Sequence, residues 1–186
     1  MHPRIREITE YLETQRRALR LAVDAVPAAV RARRPAPESW SVAEVLEHVG
    51  LVEQSVAGLF GRALGEARAK GLGPEQATGP VVTTLDVAMV ADRSRRIEAA
   101  ESGQPRGGLD AEAAWARLDA LRVATLAALH EADGLALAEV AVPHRILGTL
   151  DLYQWMVFLG AHEARHAAQI RAIDDALSAA PADPEA

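Results

Sequence analysis

Residues 162–166 read His-Glu-Ala-Arg-His. Two histidines four residues apart on a helix share one face, with Cβ atoms about 5 to 6 Å apart, near enough for both rings to meet one cation at about 2.1 Å. With a glutamate after the first histidine, this is also the pattern by which zinc proteases hold their metal and place a general base beside it. The chemistry on offer is that of a divalent cation, and it requires further ligands.

The positions around the pair say where the rings point. In steps of three and four, Leu152, Trp155, Met156 and Leu159 lead to His162, His166 and Ile170, so both imidazoles belong to the buried stripe. A buried polar group left unsatisfied costs about 1 to 3 kcal/mol, against a total stability of about 5 to 15 kcal/mol. Core histidines bonded to backbone, Glu or water are one solution; a shared metal ion is the other. His48, beside Val45, Val49 and Val52, is the candidate third ligand. It stands seven residues past the cap Ser41, about 10 Å into its helix at 1.5 Å per residue. The pair lies in the C-terminal half of the last helix, so the three are level only if the two helices run antiparallel. A simple up-down-up-down bundle makes them parallel; a long crossover between the second and third helices makes them antiparallel.

The elements supply that crossover. Ile5, Ile8, Leu12, Gln15, Leu19, Ala22 and Val26 form the stripe of a first helix ended by Pro27, with Arg and Glu opposite. In "WSVAEV", Ser41 and Glu44 predict a capping box and Trp40 a staple onto Val45. The stripe of this second helix runs to Leu59 and Phe60, then loosens in "GRALGEARAKGLG". From about 66 to 109 the chain is rich in Gly and Pro, with a short helix near 84–93; it is a connection, because neither flank could bury a core alone. A third helix spans Asp110 to about Glu131, burying Trp115, Leu118, Leu121 and Leu129. A short extended piece precedes the last helix, 150–176.

Composition agrees with this and narrows the function. The 186 residues suit a single domain, 1–186, and 49% apolar with 4% aromatic residues favours an all-α protein over sheet. A net charge of −6 disfavours a nucleic-acid surface, and "RARRP" (Arg31, Arg33, Arg34) reads as solvated surface. There is no cysteine, so any thiol chemistry needs an external thiol. No signal-peptide core and no membrane-length apolar run is visible, which predicts a cytoplasmic protein with no membrane partner. A protease is disfavoured: no histidine follows His166, the acids Asp174, Asp175 and Glu185 lie on the same helix or in the tail, and no strand-rich region precedes the motif.

Taken together, "WSVAEVLEHV", "DRSRRIEAAESGQPRGGL" and "VPHRILGTLDLYQWMVFLGAHEARHAAQI" resemble the DinB-like (DinB/YfiT-like) superfamily of metalloenzymes over nearly the whole chain. The resemblance implies a four-helix bundle with an up-down-down-up crossover and a metal triad of His48, His162 and His166. It also implies a metal-dependent transferase that joins a low-molecular-weight thiol cosubstrate to a small electrophile, with a homodimer as a family-level expectation. With water in place of the thiol, the same open site becomes a hydrolase; a bundle that binds metal or a small ligand without catalysis is the reading from another class. Zinc or nickel suits three imidazoles first, with iron, copper or manganese also compatible.

Further candidates for the surroundings of the site are Gln169, one turn beyond His166, then Arg165 and Glu163, which otherwise read as an exposed pair. Glu44 competes with its capping role, and His144 sits in a loop that approaches the pocket. His2 reads as disordered and His130 as a helix C-terminal residue; neither is assigned a function.

Overall fold

The computed structural model describes residues 1–95 and 97–179; Glu185 lies outside them. Four long helices form the body: α1 (Pro3–Ala25), α2 (Val42–Ala69), α4 (Ala111–Glu131) and α5 (Leu152–Ala179), with a short α3 (Val87–Ala91) in the crossover. Strands β1 (Ala141–His144) and β2 (Gly148–Asp151) pair antiparallel, Ala141 opposite Asp151 and His144 opposite Gly148, to make one hairpin before α5.

Helix starts follow local chemistry. Ser41 and Glu44 make the reciprocal capping box of α2, and the Asp110 side chain accepts from the Ala113 N–H at the start of α4. At α5, Asp151 accepts from the Gln154 N–H at 2.8 Å while Gln154 Oε1 accepts from the Asp151 N–H at 3.0 Å. His2, far from disordered, caps α1: its Nδ1 accepts from the Arg4 N–H and its own N–H donates to Asp133. Helix α2 does not loosen after Phe60. Leu64 continues its buried stripe, Gly61 and Gly65 lie on the exposed side, and the helix stops where Gly71 adopts φ +86°.

Two apolar clusters fix the helix directions. One holds Ile5, Ile8 and Leu12 of α1, Val56, Phe60 and Leu64 of α2, Leu129 of α4 and Leu152 to Leu159 of α5. The other holds Leu19 to Val26, Val42 to Val49, Ala111 to Leu118, and Ala167 to Ile173. Hence α1 and α5 run one way and α2 and α4 the other, the up-down-down-up bundle. The chain leaves α2 at one end and must enter α4 at the other, so residues 70–110 travel the length of the bundle. On the way Glu7 of α1 accepts the N–H groups of Val81 and Val82. The segment 97–108 then passes against α2 at His48 and Val52.

Between the clusters lies a polar layer with one residue from each long helix. Arg16 of α1, Glu53 of α2, Arg122 of α4 and Glu163 of α5 are all buried. Arg16 donates to Glu163 and Glu53, Arg122 to both as well, with closest approaches of 2.6 Å and 2.8 Å respectively. Two cations and two anions balance, and the spare guanidinium N–H groups reach the carbonyls of Leu118 and Leu12. Arg16, not the neighbouring Gln15, is therefore the buried residue at this level of α1. Arg31 is likewise buried rather than solvated, bonded to the Val26 carbonyl and to Glu112.

Candidate metal centre

Antiparallel α2 and α5 bring His48 level with His162 and His166. The Nε2 atoms of His48 and His162 lie 3.2 Å apart, and those of His162 and His166 3.1 Å apart. Around a tetrahedral ion with metal–nitrogen bonds of 2.0–2.1 Å, neighbouring nitrogens stand about 3.3 Å apart. The spacing therefore matches three ligands of one cation. No fourth His, Asp or Glu joins the group among the described residues.

The far side of each ring decides which nitrogen carries a lone pair. His48 Nδ1–H donates to the Gly103 carbonyl at 2.6 Å, and His166 Nδ1–H donates to Gln169 Oε1 at 2.8 Å. Both Nε2 atoms are thereby unprotonated and aimed at the centre. His162 Nδ1 is buried without a partner. That nitrogen stays unpaired with or without an ion; what the metal-free cluster adds is that the inward Nε2 lone pairs of His48 and His166 face each other with at most one N–H, from His162, to share. A cation between the three Nε2 atoms uses all three lone pairs, so the residues fit the group.

Electrostatics keep the rings neutral. Burial pushes the pKa of His48 down, against the pull of its bond to Gly103. Burial, reinforced by His166 and His48, holds His162 well below the usual imidazole range. Burial followed by the field of His48 takes His166 down to about 3. Neutral imidazoles are the form that binds metal at neutral pH. Trp40 packs on the His48 ring at 4.9 Å between centroids, and Phe158 on His162 at 5.6 Å. Trp40 also packs against the apolar cluster that contains Val45.

The remaining candidates divide. Gln169 is in place behind His166. Arg165 reaches across to the carbonyls of Asp92 and Arg95, and Arg93 donates to the carbonyl of Ala168, so both tie the crossover to α5. Glu163 is turned about 100° around α5 from His162 and is bonded into the buried charged layer by Arg16 and Arg122. Glu44 is engaged by Ser41 and Arg34 at the start of α2. His144 Nδ1 accepts the N–H groups of Ile146 and Leu147, organising the hairpin turn. Its ring stacks against Phe158 at 4.6 Å and Trp155 at 5.0 Å, one aromatic removed from His162. Sequence reasoning missed Gly103 and Glu47, whose acceptors hold the crossover at the site. A backbone carbonyl from a Gly/Pro-rich segment leaves no signal in side-chain pattern.

Comparison with known proteins places the chain by family and fold. The chain is 27% identical over 152 residues to the uncharacterized protein YuaE of Bacillus subtilis (strain 168), an alignment covering 80% of this chain and 85% of that one. The crystal structure of TT2238, described as a four-helix bundle protein, superposes with a TM-score of 0.60 at 22% identity, covering 90% of this chain and 98% of the other. At that identity the likeness bears on fold. The sequence model of the DinB superfamily matches residues 11–170, which takes in His48, His162 and His166. On that match, the chain belongs to the DinB superfamily.

Proposed function

We propose that this protein is a metal-dependent enzyme in which His48, His162 and His166 hold one divalent cation, and that it joins a small thiol to a small electrophile. The observation that carries the reading is the convergence of three Nε2 atoms, two with their tautomers locked from behind, and no fourth protein ligand among the described residues. A divalent ion there, with an open position, lowers the pKa of a thiol or water that occupies it and makes it a nucleophile at neutral pH. The chain's own residues supply neutral donors, fix their orientation through Gly103 and Gln169, and limit water through Trp40 and Phe158. Because the chain has no cysteine, the sulfur must come from a cosubstrate.

Hydrolysis is the alternative use of the same open position. A metal-holding bundle without catalysis is favoured by a different observation: the three rings are only 5%, 9% and 5% exposed, under the crossover segment. A small-molecule substrate, a homodimer and a cytoplasmic setting belong to the same proposal; no helix among the described residues is long and apolar enough to cross a membrane.

Elemental analysis of untagged protein decides the first step. Near-stoichiometric divalent metal, lost in a His48→Ala/His162→Ala double variant, supports the centre; a folded wild type that takes up neither zinc nor nickel sinks it. Thiols screened against electrophiles with the loaded protein then separate transfer from hydrolysis and from binding alone.

A further inference from the structure

The segment 97–108 covers His48, and almost all that holds it is polar. Its one regular turn is Glu101–Gly103. On its N-terminal side Arg145 of the hairpin turn donates to the Glu98 carbonyl at 2.7 Å. In the middle the Gly103 carbonyl accepts from His48 Nδ1–H. On its C-terminal side the N–H groups of Arg106 and Gly107 donate to the two carboxylate oxygens of Glu47, at 3.1 and 3.0 Å. Two successive backbone N–H groups thus converge on one anion, and Gly107 (φ +74°) and Gly108 (φ +97°) turn the chain immediately beyond them.

Glu47 and His48 are consecutive residues of α2, so one turn of one helix grips the segment at two points. These grips are not equivalent in what they control. The bond to Gly103 selects the tautomer of His48, and only the Nδ1–H form presents an Nε2 lone pair to His162 and His166. That bond forms only while Gly103 is held over the ring, and the anchor nearest to it on the C-terminal side is Glu47.

We propose, on the reading that the three histidines hold a metal, that Glu47 is a positioning residue for the centre: by clamping the 106–107 backbone it keeps the Gly103 carbonyl on His48 and so keeps His48 in its metal-binding tautomer. Release of the clamp uncovers His48 and loosens it as a ligand in one event. Access to the buried centre and the strength of the His48 bond are thereby coupled.

The test uses ¹⁵N-labelled full-length protein, metal-free, with the tautomer of each histidine read from its ring nitrogen resonances. Zinc affinity is measured separately by competition with a chromogenic chelator. In the wild type His48 is in the Nδ1–H form. Glu47→Ala is expected to give a mixture of His48 tautomers with His166 unchanged, faster amide exchange at 106 and 107, and zinc affinity lower by about 10- to 100-fold, the usual cost of losing support behind a ligand. Glu47→Gln, which keeps one acceptor oxygen, is expected to fall between, and serves alone if Glu47→Ala does not fold. A His48 tautomer unmoved by either variant overturns the proposal even if stability drops. If the wild type binds neither zinc nor nickel, the metal reading fails by that result, while the tautomer populations still decide the link between Glu47 and His48.

Discussion

Glu163 follows His162 directly in the chain, yet its carboxylate accepts from Arg16 at 2.8 Å and Arg122 at 3.0 Å in the layer that joins the four long helices, while His162 faces His48. Successive helix residues are turned about 100° from each other, so a glutamate beside a ligand serves whichever neighbour its own face meets. Burial pushes the Glu163 carboxyl upward, and Arg122 and Arg16, both within 3.0 Å, pull it back. The glutamate of a zinc protease acts on water beside the metal; here the same letter ties four helices together. Glu163→Ala is therefore expected to cost about 3 to 5 kcal/mol by stranding buried cations. In the milder Glu163→Gln, bound metal per folded protein should be unchanged. Urea unfolding followed by circular dichroism reads the first effect and elemental analysis the second; metal lost with the fold intact would place Glu163 at the centre after all.

Gln169 is the one side chain among the described residues that orients a proposed ligand from behind. Gln169→Leu removes the acceptor for His166 Nδ1–H in a buried setting, and zinc affinity should fall by about 10- to 100-fold. Gln169→Glu keeps an acceptor oxygen and should retain most of the affinity. Chelator competition on the three proteins measures this, and equal affinities would assign Gln169 to helix packing only.

The limits of the sequence reading trace to particular residues. His48, His162 and His166 were legible because each lies in an apolar stripe, where an imidazole is conspicuous, and the level argument turned that into helix direction. Arg16 and Arg122 were not, since an arginine on a helix reads as surface by default; only three-dimensional pairing with Glu53 and Glu163 makes its burial tolerable. Gln15 was placed in the stripe for the same reason. The end of α2 was misjudged because glycine weakens a helix on average, whereas Gly61 and Gly65 sit where the packed face does not need them. Glu44 carried its capping role plainly in the Ser-x-x-Glu spacing.

Gly160 of α5 lies against the ring of Tyr11 of α1. A Cβ built there would stand 2.4 Å from Cε1 and 2.9 Å from Cδ1 of Tyr11. On an exposed helix Gly→Ala stabilises by up to about 1 kcal/mol, but here the ring must move or the helices part. Gly160→Ala is expected to destabilise by about 1 to 3 kcal/mol, in the range of overpacking. Adding Tyr11→Ala should remove that clash, so the effect of Gly160→Ala becomes neutral or favourable in the Tyr11→Ala background. A double-mutant cycle by chemical denaturation measures it, and additive costs would rule out the steric account.

The start of α2, six residues before His48, carries a pH-dependent contribution. The hydrogen bond from Arg34, against some opposing burial and with help from Ser41, holds the Glu44 carboxyl below its usual range. A carboxyl whose folded pKa lies below its unfolded value binds fewer protons when folded, so its stabilisation is complete above the unfolded pKa of about 4.3 and is lost as pH falls through the lower folded value. Glu44→Gln should therefore lower Tm by about 1 to 3 °C at pH 7, a small effect because the pair with Arg34 is solvent-screened. The gap should close progressively below pH 5, as the wild type loses the same charge. Thermal melts of both proteins from pH 3 to 7 provide the check, taken with chelator present so that metal loss does not contribute. A gap that stays constant across this range would mean that the Glu44 carboxylate adds nothing beyond a neutral acceptor, leaving Ser41 as the residue that starts the helix.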